Sequence, residues 1–165
     1  MLRPRGNLDP IVSNTTPLIA LVGVGLLDLL PALHGEVWIP QAVFNEYDVG
    51  RRTRPGAPDL AQLAWMQVHS IPDNPAVPST LDPGERETLA LALAIQPRLV
   101  LIDEMRARHV AQRFGLPLAG SMTILLEAKR HGLLVALAPI VDQMIAQGRR
   151  ISPALRRVVL DQAGE

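Results

Sequence analysis

Short apolar runs recur along the chain, separated by longer stretches whose apolar positions repeat every three to four residues. The first pattern is that of a strand and the second that of a helix. Residues 11–13, 37–39, 65–70, 99–102 and 117–119 read as strands. After the first of them, Thr15 or Thr16 caps a helix with Pro17 at its first position, and Gly23 and Gly25 divide the apolar segment into two short helices ending near Leu33. Helices are expected over 40–48, 58–64, 82–95, 104–114, 121–131, 139–147 and 153–162. Residues 50–56 form a basic, mobile loop, and Pro72, Pro75 and Pro78 mark another loop. The run 99–102, apolar throughout, suits the sheet centre, where both faces are covered. Strands alternating with helices predict a three-layer α/β/α sandwich around a central parallel sheet of four or five strands.

Length and composition narrow the picture. A chain of 165 residues suits a single domain over 1–165, with a C-terminal helical extension over 138–165, and 48% hydrophobic residues supply a core. Sixteen Lys and Arg against sixteen Asp and Glu leave no net charge, so nucleic acid cannot be held by bulk attraction and would need a local site. Cysteine is absent, which removes disulfides, thiolate zinc sites and a cysteine nucleophile. The apolar stretch 18–30 follows Arg3 and Arg5 as a signal peptide would, but Asp28 and the segment from Asn14 to Pro17 interrupt that pattern. It is too short to span a membrane. No membrane is expected as a partner, and the cytoplasm is the default compartment.

Four polar residues fall where strands end or helices begin, the positions at which open α/β sheets bind ligands. Asn14 follows the first strand, Glu46 lies in the helix after the second, Glu85 opens the long helix and Asp103 follows the strand 99–102. Each has a plainer structural account. Asn14 can form an Asx turn, Glu85 a capping box with Asp82, Asp103 an N-cap, and Glu46 a solvated helix position. Converging carboxylates repel unless a hard cation lies among them, and an all-oxygen set suits Mg²⁺ or Mn²⁺.

Taken together, these segments resemble a known family. The opening 11–21 (IVSNTTPLIAL), the segment 35–40 (GEVWIP) with Glu46, the run 81–85 (LDPGE) and the segment 101–104 (LIDE) with Arg106 and Arg108 look like a PIN domain. They resemble in particular a poorly characterised prokaryotic branch of predicted nucleic-acid-binding proteins related to VapC-type toxins. The resemblance implies a metal-dependent endoribonuclease that hydrolyses RNA phosphodiesters. It carries the four acidic positions onto Asn14, Glu46, Glu85 and Asp103, with Glu87 a rival to Glu85 and Glu104 assisting Asp103 in holding Mg²⁺ or Mn²⁺. It also implies a homodimer and a cognate antitoxin protein. Asn14 stands where the nucleases carry aspartate, and an amide contributes no negative charge. A catalytically lapsed PIN fold, serving as an RNA-binding or protein-interaction module, is therefore the alternative, with a small-ligand or phosphoacceptor domain a third reading.

An acidic nuclease site needs cations beside it to receive phosphate. Of the sixteen basic residues fifteen are Arg, a side chain suited to bidentate phosphate contacts. Arg106, His109 and Arg113 share one polar helix face that starts beside Asp103, and the loop cations Arg51, Arg52 and Arg54 form a second group. Thr15, Thr16 and Ser121 offer hydroxyls. Five aromatic residues are too few for multi-base stacking, and His34, His69, His109 and His131 show no zinc spacing.

Overall fold

Strand β1 (Ile11–Ser13) is buried throughout and forms the middle of a five-stranded parallel sheet. A computed structural model describes residues 9–165; Arg3 and Arg5 lie outside them. The strands β2 (Val37–Pro40), β3 (Met66–His69), β4 (Leu99–Leu101) and β5 (Leu118–Ala119) complete it in the order β3-β2-β1-β4-β5. The chain thus builds outward from β1 to β3 on one side, then returns to lay β4 against the other side of β1. This reversal places the crevice of an open α/β sheet at the carboxyl ends of β1 and β4.

Side chains alternate across the sheet, as the two-residue period of a strand requires. Ile11, Val37, Ile39, Leu101 and Ala119 join the core beneath α1 (Thr15–Gly23), α2 (Leu29–His34), α6 (Ser121–Arg130), α7 (Ala138–Ala146) and α8 (Pro153–Ala163). Val12, Trp38, Val100 and Ile102 meet the other layer, where α4 (Pro83–Ile95) supplies Leu89, Leu91 and Ala92 and α5 (Met105–Arg113) supplies Ala107, Val110 and Ala111. Helix α3 (Gln41–Arg51) adds Val43 and Tyr47 to the first core and packs along α4. This is the predicted three-layer sandwich. The helices α7 and α8 pack into it as well: Val141, Met144, Val159 and Leu160 belong to the main core.

Several local expectations are revised. Asn14, not a threonine, is the N-cap of α1: it remains tied to the sheet through its N–H to Leu101 O at 2.9 Å, so the helix begins at Thr15 and Pro17 is its third residue. Pro17 costs nothing there, because the first N–H groups of a helix have no intrahelical partner. Residues 58–64 hold only a 3₁₀ turn over Leu60–Gln62, since Leu60 alone among those three is buried and a lone anchor does not sustain a helix. Helix α3 runs three residues past 48 to Arg51, taking the start of the expected loop, with Arg51 and Arg52 bonded back to Asp48. Strand β4 is interior, but the central place belongs to β1. Among the described residues no helix is long and apolar enough to cross a membrane.

Candidate active site

Parallel strands all end on the same side, so the residues that follow them collect along one edge. Ser13 is paired with Leu101, which makes the chain leave β1 and β4 side by side and brings Asn14 and Thr15 next to Asp103 and Glu104. Glu104, in extended conformation, is the N-cap of α5, and Asp103 is thereby released from the capping role. Helices α3 and α4, on the other flank, bring Glu46 and Glu85 to the same edge.

The side chains form two connected groups. In the first, Thr15 Oγ1 donates to Glu46 Oε2 at 2.9 Å. A Cβ placed on Gly84 would stand 2.9 Å from Glu46 Oε2 and 3.5 Å from both Asn14 Oδ1 and Asp82 Oδ1, so the glycine is the point around which these oxygens gather. In the second, Asn14 Nδ2 donates to Glu104 Oε2 at 3.3 Å, and Thr16 Oγ1 donates to Glu104 Oε1. Asp103 accepts from Ser121 N at 2.7 Å, from Ser121 Oγ at 3.0 Å and from Arg149 Nη2 at 2.8 Å.

Asn14 therefore joins the two groups, its amide nitrogen engaged by Glu104 and its oxygen facing Gly84. An aspartate could not make the first of these bonds, because an ionised carboxylate only accepts. Glu85 is buried and combines two roles. It completes a capping box, with Asp82 N donating to its Oε2 at 3.1 Å and its own N–H reaching Asp82 Oδ1 at 2.8 Å, and it also faces the cleft. Burial pushes its carboxyl above the usual range. The Asp82 amide opposes that shift, Asp82 and Glu104 add to it through their negative charge, and Arg106 works against it. Glu87, the rival for its place, points elsewhere and accepts from Ala42 N at 2.8 Å, where it fastens α4 to the start of α3.

Two grooves flank these residues. One, of about 750 Å³, runs past Thr16, Glu85, Asp103, Glu104 and Arg106 to Arg149 and Arg150; the other, of about 400 Å³, lies against Glu46, Asp82 and Gly84. Arg106 also donates to Thr80 O at 2.8 Å. The remaining cations are distributed less closely. Arg113 is in the last turn of α5, away from the acidic groups, while Arg51 and Arg52 pair with Asp48. Arg54 lines a separate groove that it shares with Arg149. Arg149 and Arg150 were invisible to helical spacing because they lie in the link between α7 and α8.

Matched against known families, residues 10–165 fit the DUF3368 model, described as a PIN domain. The chain belongs to the PIN-domain family. No curated protein matches the sequence. The PIN domain is a nuclease-type fold, in general dependent on a divalent metal and directed at nucleic acid. In kind, the oxygen donors of this PIN domain suit a hard divalent ion. Their spacing does not: among the described residues no three Asp, Glu or His side chains stand close enough to share one ion. As arranged, they hold protein donors instead, and the cation beside Asp103 is Arg149.

Proposed function

We propose that this PIN domain is a ribonuclease of the toxin type, which binds RNA along the groove beside Asp103 and hydrolyses a phosphodiester at the acidic edge. One observation supports this above the others: Asn14 from the β1–α1 link, Glu46 from α3, Glu85 from α4, and Asp103 and Glu104 from the β4–α5 link meet at the carboxyl ends of β1 and β4, beside a groove walled by Arg106, Arg149 and Arg150. The arginines supply the attraction that a chain of zero net charge lacks as a whole. Mg²⁺ or Mn²⁺ is the cofactor that family membership suggests, and Glu46, Glu85, Asp103 and Glu104 would have to give up their present partners to take it. On the toxin reading, the partners are a second copy of the chain and a cognate antitoxin.

The lapsed-enzyme reading draws on two observations, the amide of Asn14 in an acidic position and the arginine on Asp103. Incubation of the purified protein with structured and single-stranded RNA, in Mg²⁺, Mn²⁺ or chelator, separates the two. A working enzyme cleaves with metal and stops with chelator, and Asp103→Ala or Glu46→Ala lowers the rate at least about 100-fold, the scale of a lost acid-base group. Cleavage that survives both substitutions removes the proposed site. An inert wild type that gains activity on Asn14→Asp identifies a lapsed enzyme.

A further inference from the structure

Arg149 is held in place by its backbone, while its side chain is only half engaged. Its N–H donates to Met144 O at 3.1 Å, and the adjacent Gln147 Nε2 donates to Gly23 O at 2.7 Å, tying this link to the end of α1. The guanidinium makes one good bond, from Nη2 to Asp103 Oδ2 at 2.8 Å; Nη1 stands 3.5 Å from Thr16 O, at the limit of hydrogen bonding. Arg156 shows the fuller arrangement in the same chain, with Nε and Nη2 on the two oxygens of Asp142 at 2.7 and 3.0 Å. A guanidinium fork matches a carboxylate or a phosphate through two parallel bonds, and at Asp103 that capacity is unused.

Asp103 does not depend on Arg149. Its two bonds from Ser121 remain if the guanidinium leaves. The arginine also has somewhere to go, because it lines both the acidic groove and a neighbouring groove of about 430 Å³ that has Arg54 in its wall. Arg54 Nη1 is buried close to Gly50 and has no hydrogen-bond partner among the described residues. The two arginines thus lie along one path past the acidic edge.

We propose that Arg149 closes the acidic cleft as the counter-ion of Asp103 in the free protein, and opens it by transferring its guanidinium to a phosphate of the entering RNA. The phosphate offers the fork two acceptors where Asp103 gives it one, and draws the side chain toward the Arg54 groove. Asp103 Oδ2 then keeps its bond from Ser121 Oγ but loses its positive partner at the moment substrate is present. The identity of the phosphate donor rests on the ribonuclease reading above.

The test measures binding, not turnover. Anisotropy of a short fluorescein-labelled single-stranded RNA, in chelator, is followed with the full chain as wild type, Arg149→Ala, Arg149→Lys and Asp103→Asn. Loss of one charge-assisted contact in Arg149→Ala weakens RNA binding about tenfold. It also lowers the slope of log affinity against log salt by about 0.7, as for one phosphate contact on a single strand. Asp103→Asn tightens RNA binding, because the phosphate no longer competes with a carboxylate. Arg149→Lys keeps the charge without the fork and gives an intermediate RNA affinity, which preserves the test if the alanine variant does not fold. RNA bound equally by wild type and the Arg149 variants, or no better by Asp103→Asn, overturns the proposal and leaves the ribonuclease reading standing. RNA bound by none of the proteins overturns both.

Discussion

Gly84 shows how much the acidic edge depends on one missing side chain. It sits in the first turn of α4 with a negative φ, so its lack of a Cβ serves the close approach of Glu46 and not a special backbone conformation. Alanine there would force the Glu46 carboxylate away from Thr15, yet the atom displaced is the far end of a flexible, exposed side chain. Helix propensity meanwhile favours alanine over glycine by roughly 0.5–1 kcal/mol. Gly84→Ala is therefore expected to leave the melting temperature unchanged or slightly raised while RNA cleavage falls. A variant that cleaves at the wild-type rate would show that the position of Glu46 is immaterial. Asp103 and Glu104 were legible as residues because an acid that follows a strand is visible in one dimension, and Glu85 because it opens a helix; Glu46, inside a helix, stood out through the family resemblance. Gly84 was not legible, since its meaning lies in Asn14 and Glu46, which are remote in sequence.

The helix α4 was read almost to its ends, because its start is written locally. Asp82, Pro83 and Glu85 form a capping box with both reciprocal bonds in place, and Asp82→Ala is expected to cost about 1 kcal/mol in a denaturant titration. The structural and functional accounts of Glu85 turn out to be compatible: one oxygen caps, and the side chain still borders the cleft. The segment 58–64 shows the opposite outcome. Its composition permits a helix, but the short connection to β3 buries Leu60 without a continuous apolar face, and only a 3₁₀ turn forms. The basic loop was divided in the same way, as its first residues were absorbed into α3 and bonded to Asp48.

At the scale of the whole molecule, His34 ties together α2, α6 and the approach to β4. Its Nε2 lies 3.0 Å from Glu127 Oε2, and Arg98 Nη1 lies 3.2 Å from its Nδ1. A guanidinium can only donate, so Nδ1 accepts and Nε2 carries the proton of a neutral ring. Burial holds this imidazole below its ordinary value; Glu127 opposes the shift, while Arg98 and His131 reinforce it. The unfolded chain then takes up a proton more readily than the folded one. Stability from this site is complete above about pH 6.5 and is lost as pH falls through the depressed folded value. Melting temperature should therefore decline on the acid side of neutrality, and His34→Gln should flatten that decline. An identical acid profile for the variant would mean that the ring does not link stability to pH.

The sequence by itself determined the class of the fold, the order of the strands and helices along the chain, and the acids at the strand ends, because periodicity, capping and strand-end position are local properties. Only the tertiary structure decided which groups meet. It set β1 in the middle of the sheet, turned Glu87 to α3 and Glu85 to the cleft, left Arg113 at the far end of α5, and carried Arg149 from a link near the C-terminus onto Asp103. The reason is one of distance: a contact between residues 46 positions apart leaves no mark in the spacing of either segment. The neutral total charge is now seen as acids at one edge with an arginine laid across them.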